Sequence, residues 1–128
     1  MATVMGHEVA HALANHGQQR MSAGLVQQLG AGVAQAAVGG KSAETQALVM
    51  QAYGIGTQVG GMLPFSRSHE TEADEIGLTL MAIAGYNPET SVAFWERMSA
   101  NSGGAKPAEI MSTHPSDETR IANLKRLI

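Results

Sequence analysis

The 128-residue sequence has no cysteine and few aromatic residues, with one Trp, two Tyr and two Phe. The absence of cysteine excludes disulfides, thiolate metal sites and cysteine nucleophiles, although it fits either side of a membrane. Ala, Gly and eight Met supply much of the apolar inventory. We therefore expect a core of small side chains with close helix contacts and adaptable methionine packing.

Long hydrophobic runs and basic clusters are also missing. No run of about eighteen apolar residues is present, so no transmembrane helix is expected. The net charge is −3, and the eight Lys and Arg are scattered apart from LKRL near the end. Because no basic stripe is present to neutralise phosphates, we do not expect nucleic acid as a partner. The length predicts a single domain over residues 1–128. Because only six residues precede His7, we expect an N-terminally truncated domain with any export signal upstream.

Apolar residues recur at helical spacing along the chain, and no segment alternates with a period of two. The predicted fold class is therefore all-α. Gly17 and Gly85 suit helix C-termini, Ser42 and Asn87 suit N-caps, and Pro64 is expected to break the pattern together with the two glycines before it. The predicted helices cover residues 3–16, 21–38, 43–60, 66–84, 88–100 and 116–127.

The second and third predicted helices are rich in Ala, Gly and Gln and are too polar to span a bilayer. In the second helix, Met21, Leu25, Leu29 and Val33 follow one another at four-residue spacing. We expect this apolar face to pack on the core, as apolar helix faces usually do. A mobile flap, or a surface that leans on a membrane or a partner, is the alternative.

The stretch MGHEVAHALANHG, residues 5–17, contains an HExxH motif. On a helix, His7 and His11 project from one face and can bind one metal ion, while Glu8 can act as general base on a metal-bound water. His16 would sit about 140° around the helix from His11, and we interpret it as a surface or capping histidine. A surface helix with incidental histidines is the alternative, because the motif alone is short.

A third ligand is expected from SRSHETEADEIGL, residues 66–78. Glu70 and Asp74 are four residues apart and share a helix face. We predict that Glu70 binds zinc and that Asp74 accepts the free N–H of a ligating imidazole. His69 lies about 100° from Glu70 on the helix and is not expected to share the site. Alone, this segment is an ordinary charged helix face, but the HExxH motif favours the metal interpretation.

HExxH, the SRxxExEAD helix and a later STHPSDETRI form three ordered blocks over nearly the whole chain. They resemble the gluzincin family that includes HtpX and the CAAX prenyl proteases (metallopeptidase family forty-eight), above all its soluble periplasmic bacterial members. The resemblance implies Zn²⁺ as cofactor, held by His7, His11 and Glu70, with Glu8 as general base. It also implies that His114 stabilises the oxyanion or caps the metal in a resting state, where composition alone suggests a loop histidine.

The resemblance implies a zinc-dependent endopeptidase that hydrolyses misfolded or membrane-associated polypeptides in quality control, in the periplasm or beside a membrane. Arg120 would then be a partner for the carboxylates of the site, although an exposed helix arginine needs no function. Family members carry strands ahead of the HExxH helix that align the substrate by main-chain pairing; none is expected here. The alternatives are a zinc-stabilised adaptor or chaperone-like module without turnover, and a plain helical binding module without metal.

Overall fold

A computed structural model describes residues 1–101, 113–114 and 118–128. All secondary structure within these residues is helical, which confirms the all-α prediction. The elements in chain order are α1 (Ala2–Leu13), α2 (His16–Val38), α3 (Ala43–Thr57), a π-helical turn (Gln58–Met62), α4 (Leu63–Ile83), α5 (Glu89–Asn101) and α6 (Glu118–Leu127).

Three of the predicted helix ends are confirmed. The backbone N–H of Thr45 donates to Ser42 Oγ at 3.3 Å, and that of Glu89 donates to Asn87 Oδ1 at 3.0 Å. Both contacts satisfy a donor that the first turn of a helix leaves without an intrahelical partner. Gly85 follows α4 with φ of 80°, the left-handed conformation that commonly ends a helix.

The end of the first helix lies earlier than predicted. α1 ends at Leu13, and Asn15 rather than Gly17 adopts the left-handed conformation, with φ of 57°. Asparagine tolerates this conformation better than other residues with a β-carbon. The turn is therefore complete before Gly17, and α2 begins at His16 instead of residue 21.

The break predicted around Pro64 does not occur. α3 runs through the π-helical turn into α4, and the backbone N–H of Leu63 donates to the carbonyl of Gln58, five residues earlier. This wider turn relieves the clash that a proline ring makes with the carbonyl four residues before it in a regular α-helix.

The predicted start of the last helix at Ser116 lies outside the described residues, as does the predicted connection at 101–107 apart from its first residue.

The described residues form two compact units, of which the first comprises Met1–Ala14 and His69–Ile128. It contains α1, α5, α6 and most of α4. Its buried apolar residues include two Ala and one Met, which matches the expectation of a core with small residues and methionine. They are Ala10, Ala73, Leu78, Met81, Trp95 and Leu124.

The second unit, Asn15–Ser68, is a hairpin of α2 and α3. Polar side chains join the two helices. The Tyr53 hydroxyl donates to the Gln27 carbonyl at 2.7 Å, and the Gln27 side-chain amide donates to Thr57 Oγ1 at 2.9 Å. Further along, Gln35 Nε2 donates to Gln46 Oε1 at 3.0 Å. Hydrogen bonds between side chains therefore contribute directly to the pairing of the two helices.

The apolar face of α2 is exposed, and the prediction that it packs on the core is wrong. Met21, Leu25, Leu29 and Val33 are 61–72% exposed. α2 turns its Ala, Gly and Gln27 side toward α3 instead, because small residues allow close backbone approach and the glutamine finds hydrogen-bond partners there. Among the described residues, no helix combines the length and the apolar character needed to cross a bilayer.

Two leucines of α6 test the position of the core. Leu124 is 1% exposed and Leu127 is 46% exposed. Leu124→Ala should lower the free energy of unfolding by about 2–5 kcal/mol, because it leaves a cavity beside Trp95. Leu127→Ala should change it by about 0.5 kcal/mol or less. Urea unfolding followed by circular dichroism measures both, and equal losses would contradict the assignment of Leu124 to the core.

Candidate metal centre

α1 presents the two histidines of the HExxH motif on one face. The Nε2 atoms of His7 and His11 lie 3.0 Å apart. His7 is buried and His11 is partly buried. Two imidazole nitrogens that face each other at this distance cannot both donate along the same line, so they share a proton or a cation.

α4 brings the predicted third ligand to this pair. Glu70 is 3% exposed. Its Oε2 lies 3.2 Å from His7 Nε2, and its Oε1 lies 3.3 Å from His11 Nε2. The side chain thus meets both histidines with one oxygen each, over a sequence separation of some sixty residues.

His114 adds a fourth donor to the group. Its Nδ1 lies 3.0 Å from Glu70 Oε1 and 3.4 Å from His7 Nε2. One ligand atom from each of His7, His11, Glu70 and His114 falls within 4.8 Å of the others. This is the one such group of His, Asp and Glu found in the part of the chain that the structure describes.

The donor set fits a small four-coordinate metal ion. An ion with tetrahedral bonds of about 2.0–2.1 Å holds its ligand atoms about 3.3–3.4 Å apart. The separations around His7 Nε2 are 3.0 Å to His11, 3.2 Å to Glu70 and 3.4 Å to His114, at or slightly below that spacing. Three imidazole nitrogens and one carboxylate oxygen are also ligands that such ions accept.

A second glutamate lies at the edge of the group. Glu8 follows His7 on α1, and its side chain is 50% exposed. Glu8 Oε1 lies 3.2 Å from His114 Nε2. The two nitrogens of His114 therefore face two different carboxylates, the buried Glu70 and the half-exposed Glu8.

Asp74 and Arg120 support the group from behind. Asp74 Oδ1 lies 3.0 Å from His7 Nδ1, although the angle at the ring N–H departs from a well-aligned hydrogen bond. Arg120 donates from Nε to Asp74 Oδ2 and from Nη2 to Asp74 Oδ1, both at 2.8 Å. Its Nη1 lies 3.0 Å from Glu70 Oε2. Arg120 is 5% exposed, so it is not the exposed helix arginine that composition alone would allow.

The electrostatics of the site favour an added cation. Burial by itself would raise the pKa of Glu70, but its contacts with three histidines and the charge of Arg120 hold the pKa far below its usual range. Burial would likewise raise the pKa of Asp74, but the hydrogen bonds from Arg120 and the contact with His7 lower it. Two ionised carboxylates thus face one buried guanidinium, and a net buried negative charge is costly.

His7 responds to this excess charge. Burial alone lowers the pKa of His7, yet the neighbouring carboxylates of Asp74 and Glu70 leave the pKa raised above its ordinary value. A proton on His7 can therefore balance the site when no ion is bound. A metal ion between the ligands would supply the same positive charge while His7 stays neutral.

Trp95 completes the site, and sequence analysis did not single it out. The ring of His7 meets the ring of Trp95 edge to face, with centroids 5.6 Å apart. On the same indole, Arg120 Cζ lies 4.5 Å from the ring centroid. No sequence signal could have found this role, because a lone tryptophan on a helix is usually a core residue, which Trp95 also is.

The two remaining histidines near the motifs do not join the ligand group. His16 is 2% exposed, so the prediction of a surface histidine is wrong. The first helix ends at Leu13, earlier than predicted, and His16 therefore starts a new helix instead of continuing α1. His69 is also buried, but it lies outside the four-residue group, as its angular offset from Glu70 predicted.

Comparison with protein families identifies the chain. The model of peptidase family M48 matches residues 1–128. The chain belongs to this family. The resemblance inferred from the three motif blocks is therefore confirmed. No solved structure matches the chain significantly.

Relatives of this M48 chain occur in bacteria and in mitochondria. It is 37% identical to the mitochondrial metalloendopeptidase OMA1 of Saccharomyces cerevisiae, over 98% of this chain and 35% of the relative. It is 31% identical to the beta-barrel assembly-enhancing protease of Escherichia coli, over 98% of this chain and 26% of the relative. For the metalloendopeptidase OMA1 of Homo sapiens, the identity is 33% over 100% of this chain and 25% of the relative. The M48 chain thus spans about a third or less of these proteins.

Two ion pairs of the M48 chain allow a matched test of the buried charges. Arg120→Gln should lower the free energy of unfolding of the metal-free protein by about 3–5 kcal/mol, because Asp74 and Glu70 lose their buried partner. Lys125 pairs with Glu96 at 2.6 Å with both side chains about half exposed, and Lys125→Gln should cost about 0–1 kcal/mol. Denaturant unfolding compares the two variants. A loss for Arg120→Gln as small as that for Lys125→Gln would contradict the buried network.

Proposed function

We propose that this chain is the zinc-binding catalytic core of a metalloendopeptidase. The observation that carries the proposal is the convergence of His7, His11, Glu70 and His114 within 4.8 Å, with the half-exposed Glu8 beside them. The names of the relatives support it, since they include metalloendopeptidases and a protease. Peptide-bond hydrolysis is the reaction that joins these features.

The donor chemistry supports zinc in particular. Imidazole nitrogens with one carboxylate oxygen form the usual ligand set of hydrolytic zinc sites. Magnesium and calcium prefer all-oxygen sites, so a set led by His7 and His11 disfavours them. In this proposal His7, His11 and Glu70 hold the ion.

Each remaining group then has a task. A bound zinc ion would supply Lewis-acid polarisation of the scissile carbonyl and would acidify a water molecule. Glu8, half exposed and next to His7, would act as general base, taking a proton from the attacking water and passing it to the leaving amine. Its exposure suits this task, because a buried carboxylate locked in ion pairs could not exchange protons with a substrate.

His114 has two candidate tasks, and its contacts support one of them. With Nδ1 at 3.4 Å from His7 Nε2 and 3.0 Å from Glu70 Oε1, it contacts the ligands themselves. This contact favours a resting state in which His114 caps the metal. To stabilise the oxyanion of a substrate, His114 would first have to move away from the ligands.

Asp74 and Arg120 act as positioning residues. Asp74 next to His7 Nδ1 favours the tautomer that keeps the proton on Nδ1, which leaves the Nε2 lone pair for the metal. Arg120 holds the carboxylates of Asp74 and Glu70 together and offsets part of their charge. Both residues act through the ligands and do not touch a substrate.

The substrates proposed are polypeptides, in particular misfolded or membrane-associated proteins handled in quality control. The relatives support this class, since one carries the name of a protease that enhances beta-barrel assembly. A periplasmic or membrane-associated location belongs to the same proposal. A zinc-stabilised adaptor without turnover is the alternative, and the half-exposed Glu8 disfavours it, because a purely structural site has no need of a general base.

Two substitutions separate catalysis from metal binding. Glu8→Gln should keep stoichiometric zinc and slow the cleavage of unfolded casein by about 100- to 10,000-fold, because it removes the general base. Glu70→Ala should lose the zinc itself. Zinc content by mass spectrometry and casein cleavage are measured for both variants, with the exposed Glu72→Ala as control. Cleavage by Glu8→Gln at the parental rate would refute the mechanism, and a zinc-loaded parent without cleavage would favour the adaptor.

The hairpin of α2 and α3 supports the membrane part of the proposal. Between residues 21 and 66 the only charged side chains are Lys41 and Glu44, at the turn of the hairpin. The polar side chains Gln27, Tyr53 and Thr57 bond to each other or to the backbone between the helices, while leucines and valines face outward. Hydrogen-bonded polar groups inside and apolar groups outside suit the interfacial zone of a bilayer.

Charges on the exposed apolar face test membrane contact. The full chain should float with phosphatidylcholine vesicles, and the double variant Leu25→Glu/Leu29→Glu should remain in the aqueous fraction, because two carboxylates oppose transfer into lipid. The control Ile83→Glu/Leu127→Glu changes two exposed apolar residues outside the hairpin and should float like the parent. Membrane contact is refuted if the parent stays in the aqueous fraction. It is also refuted if the parent is a dimer and Leu25→Glu/Leu29→Glu is a monomer, since the apolar face would then bind a second copy of the chain.

A further inference from the structure

Two glycines, Gly6 and Gly77, lie at a close contact between α1 and α4. A β-carbon added to Gly6 would lie 2.9 Å from the carbonyl oxygen of Gly77. A β-carbon added to Gly77 would lie 3.0 Å from the backbone nitrogen of His7 and 3.2 Å from its Cα. The atoms in the way belong to the backbone, so a larger residue requires the helices themselves to shift.

The contact lies next to the candidate ligands on both helices. Gly6 immediately precedes His7. On α4, Glu70, Asp74 and Gly77 follow at intervals of four and three residues and therefore share one face. The distance between the helices at this contact consequently sets how far His7 lies from the carboxylates of Glu70 and Asp74.

His7 has little room for adjustment between these carboxylates. Its Nε2 lies 3.2 Å from Glu70 Oε2, and its Nδ1 lies 3.0 Å from Asp74 Oδ1. The ring of Trp95 also packs edge to face against the ring of His7, with centroids 5.6 Å apart. A metal site tolerates displacements of only a few tenths of an ångström in its ligands, so a shift of α1 cannot be absorbed by turning the imidazole alone.

We infer that Gly6 and Gly77 are positioning residues that determine the metal affinity of the site through the separation of α1 and α4. This inference rests on the proposed function, since it assumes that the ligands bind zinc. Glycine inside a helix is unfavourable by roughly 1 kcal/mol relative to alanine, so its presence in both helices at one contact needs a reason. Close approach at the ligands supplies that reason.

The test compares Gly6→Ala and Gly77→Ala with the control Gly32→Ala. Gly32 lies within α2, and a β-carbon there would meet nothing within 4 Å. Zinc affinity is measured by competition with a chromophoric chelator, and the coordination geometry by the visible absorption of the Co²⁺-loaded protein. We expect Gly6→Ala and Gly77→Ala to weaken zinc binding by about 10- to 100-fold and to alter the Co²⁺ spectrum, while Gly32→Ala retains the affinity and spectrum of the parent.

The outcomes separate this inference from the proposed function. A parent that binds no zinc refutes the proposed function. The inference is overturned if the parent binds zinc and both Gly6→Ala and Gly77→Ala show the zinc affinity and the Co²⁺ spectrum of the parent. This holds even if both variants are less stable. If a variant is unfolded without metal, the zinc concentration that restores its helical circular dichroism reports the affinity instead, and a parental value again overturns the inference.

Discussion

Two buried carboxylates on α4 need partners, and this need connects elements that are far apart in the sequence. Glu70 and Asp74 lie one turn apart on a helix face that is turned into the protein. Neither can stay ionised there without nearby donors or positive charge. α1 supplies His7 and His11, α6 supplies Arg120, and the segment before α6 supplies His114. The arrangement of the first unit around α4 follows from satisfying these two groups.

The same need explains why the site suits a metal. One guanidinium balances one carboxylate, and the second leaves an excess of negative charge among histidine nitrogens. A divalent cation would offset that negative charge. It would also bind the lone pairs of histidine nitrogens that otherwise face each other. The candidate ligands are held by buried contacts on helices, which lowers the cost of organising them around an ion. Glu8 differs from these two carboxylates, because it is half exposed and meets the group only at its edge, through His114 Nε2.

The second unit follows a different principle. In the first unit apolar residues pack inward around Trp95, whereas in the hairpin of α2 and α3 polar groups such as Gln27 and Tyr53 pair between the helices. Leu25 and Leu29 remain exposed as a result. One chain thus contains both a charged, closely packed site and an almost uncharged hairpin.

Local rules explain what could be predicted. Helical periodicity placed His7 with His11, and Glu70 with Asp74, because residues four apart share a face in any helix. The caps at Ser42 and Asn87 were equally predictable, since a side chain there reaches its own backbone. The turn at Asn15 and the continuous passage through Pro64 were not, because left-handed asparagine and π-helical turns depend on small energy differences that the surrounding structure decides.

The sequence by itself determined the all-α class, the family and which residues are candidate metal ligands, because these depend on spacing along one helix and on residue chemistry. Only the tertiary structure decided that Arg120 is buried against both carboxylates, that Trp95 contacts both His7 and Arg120, and that the apolar face of α2 is exposed. These features depend on which helix faces meet. α1 and α4 meet at a close contact of Gly6 with Gly77, and a contact between residues so far apart in the chain leaves no periodic signal in the sequence.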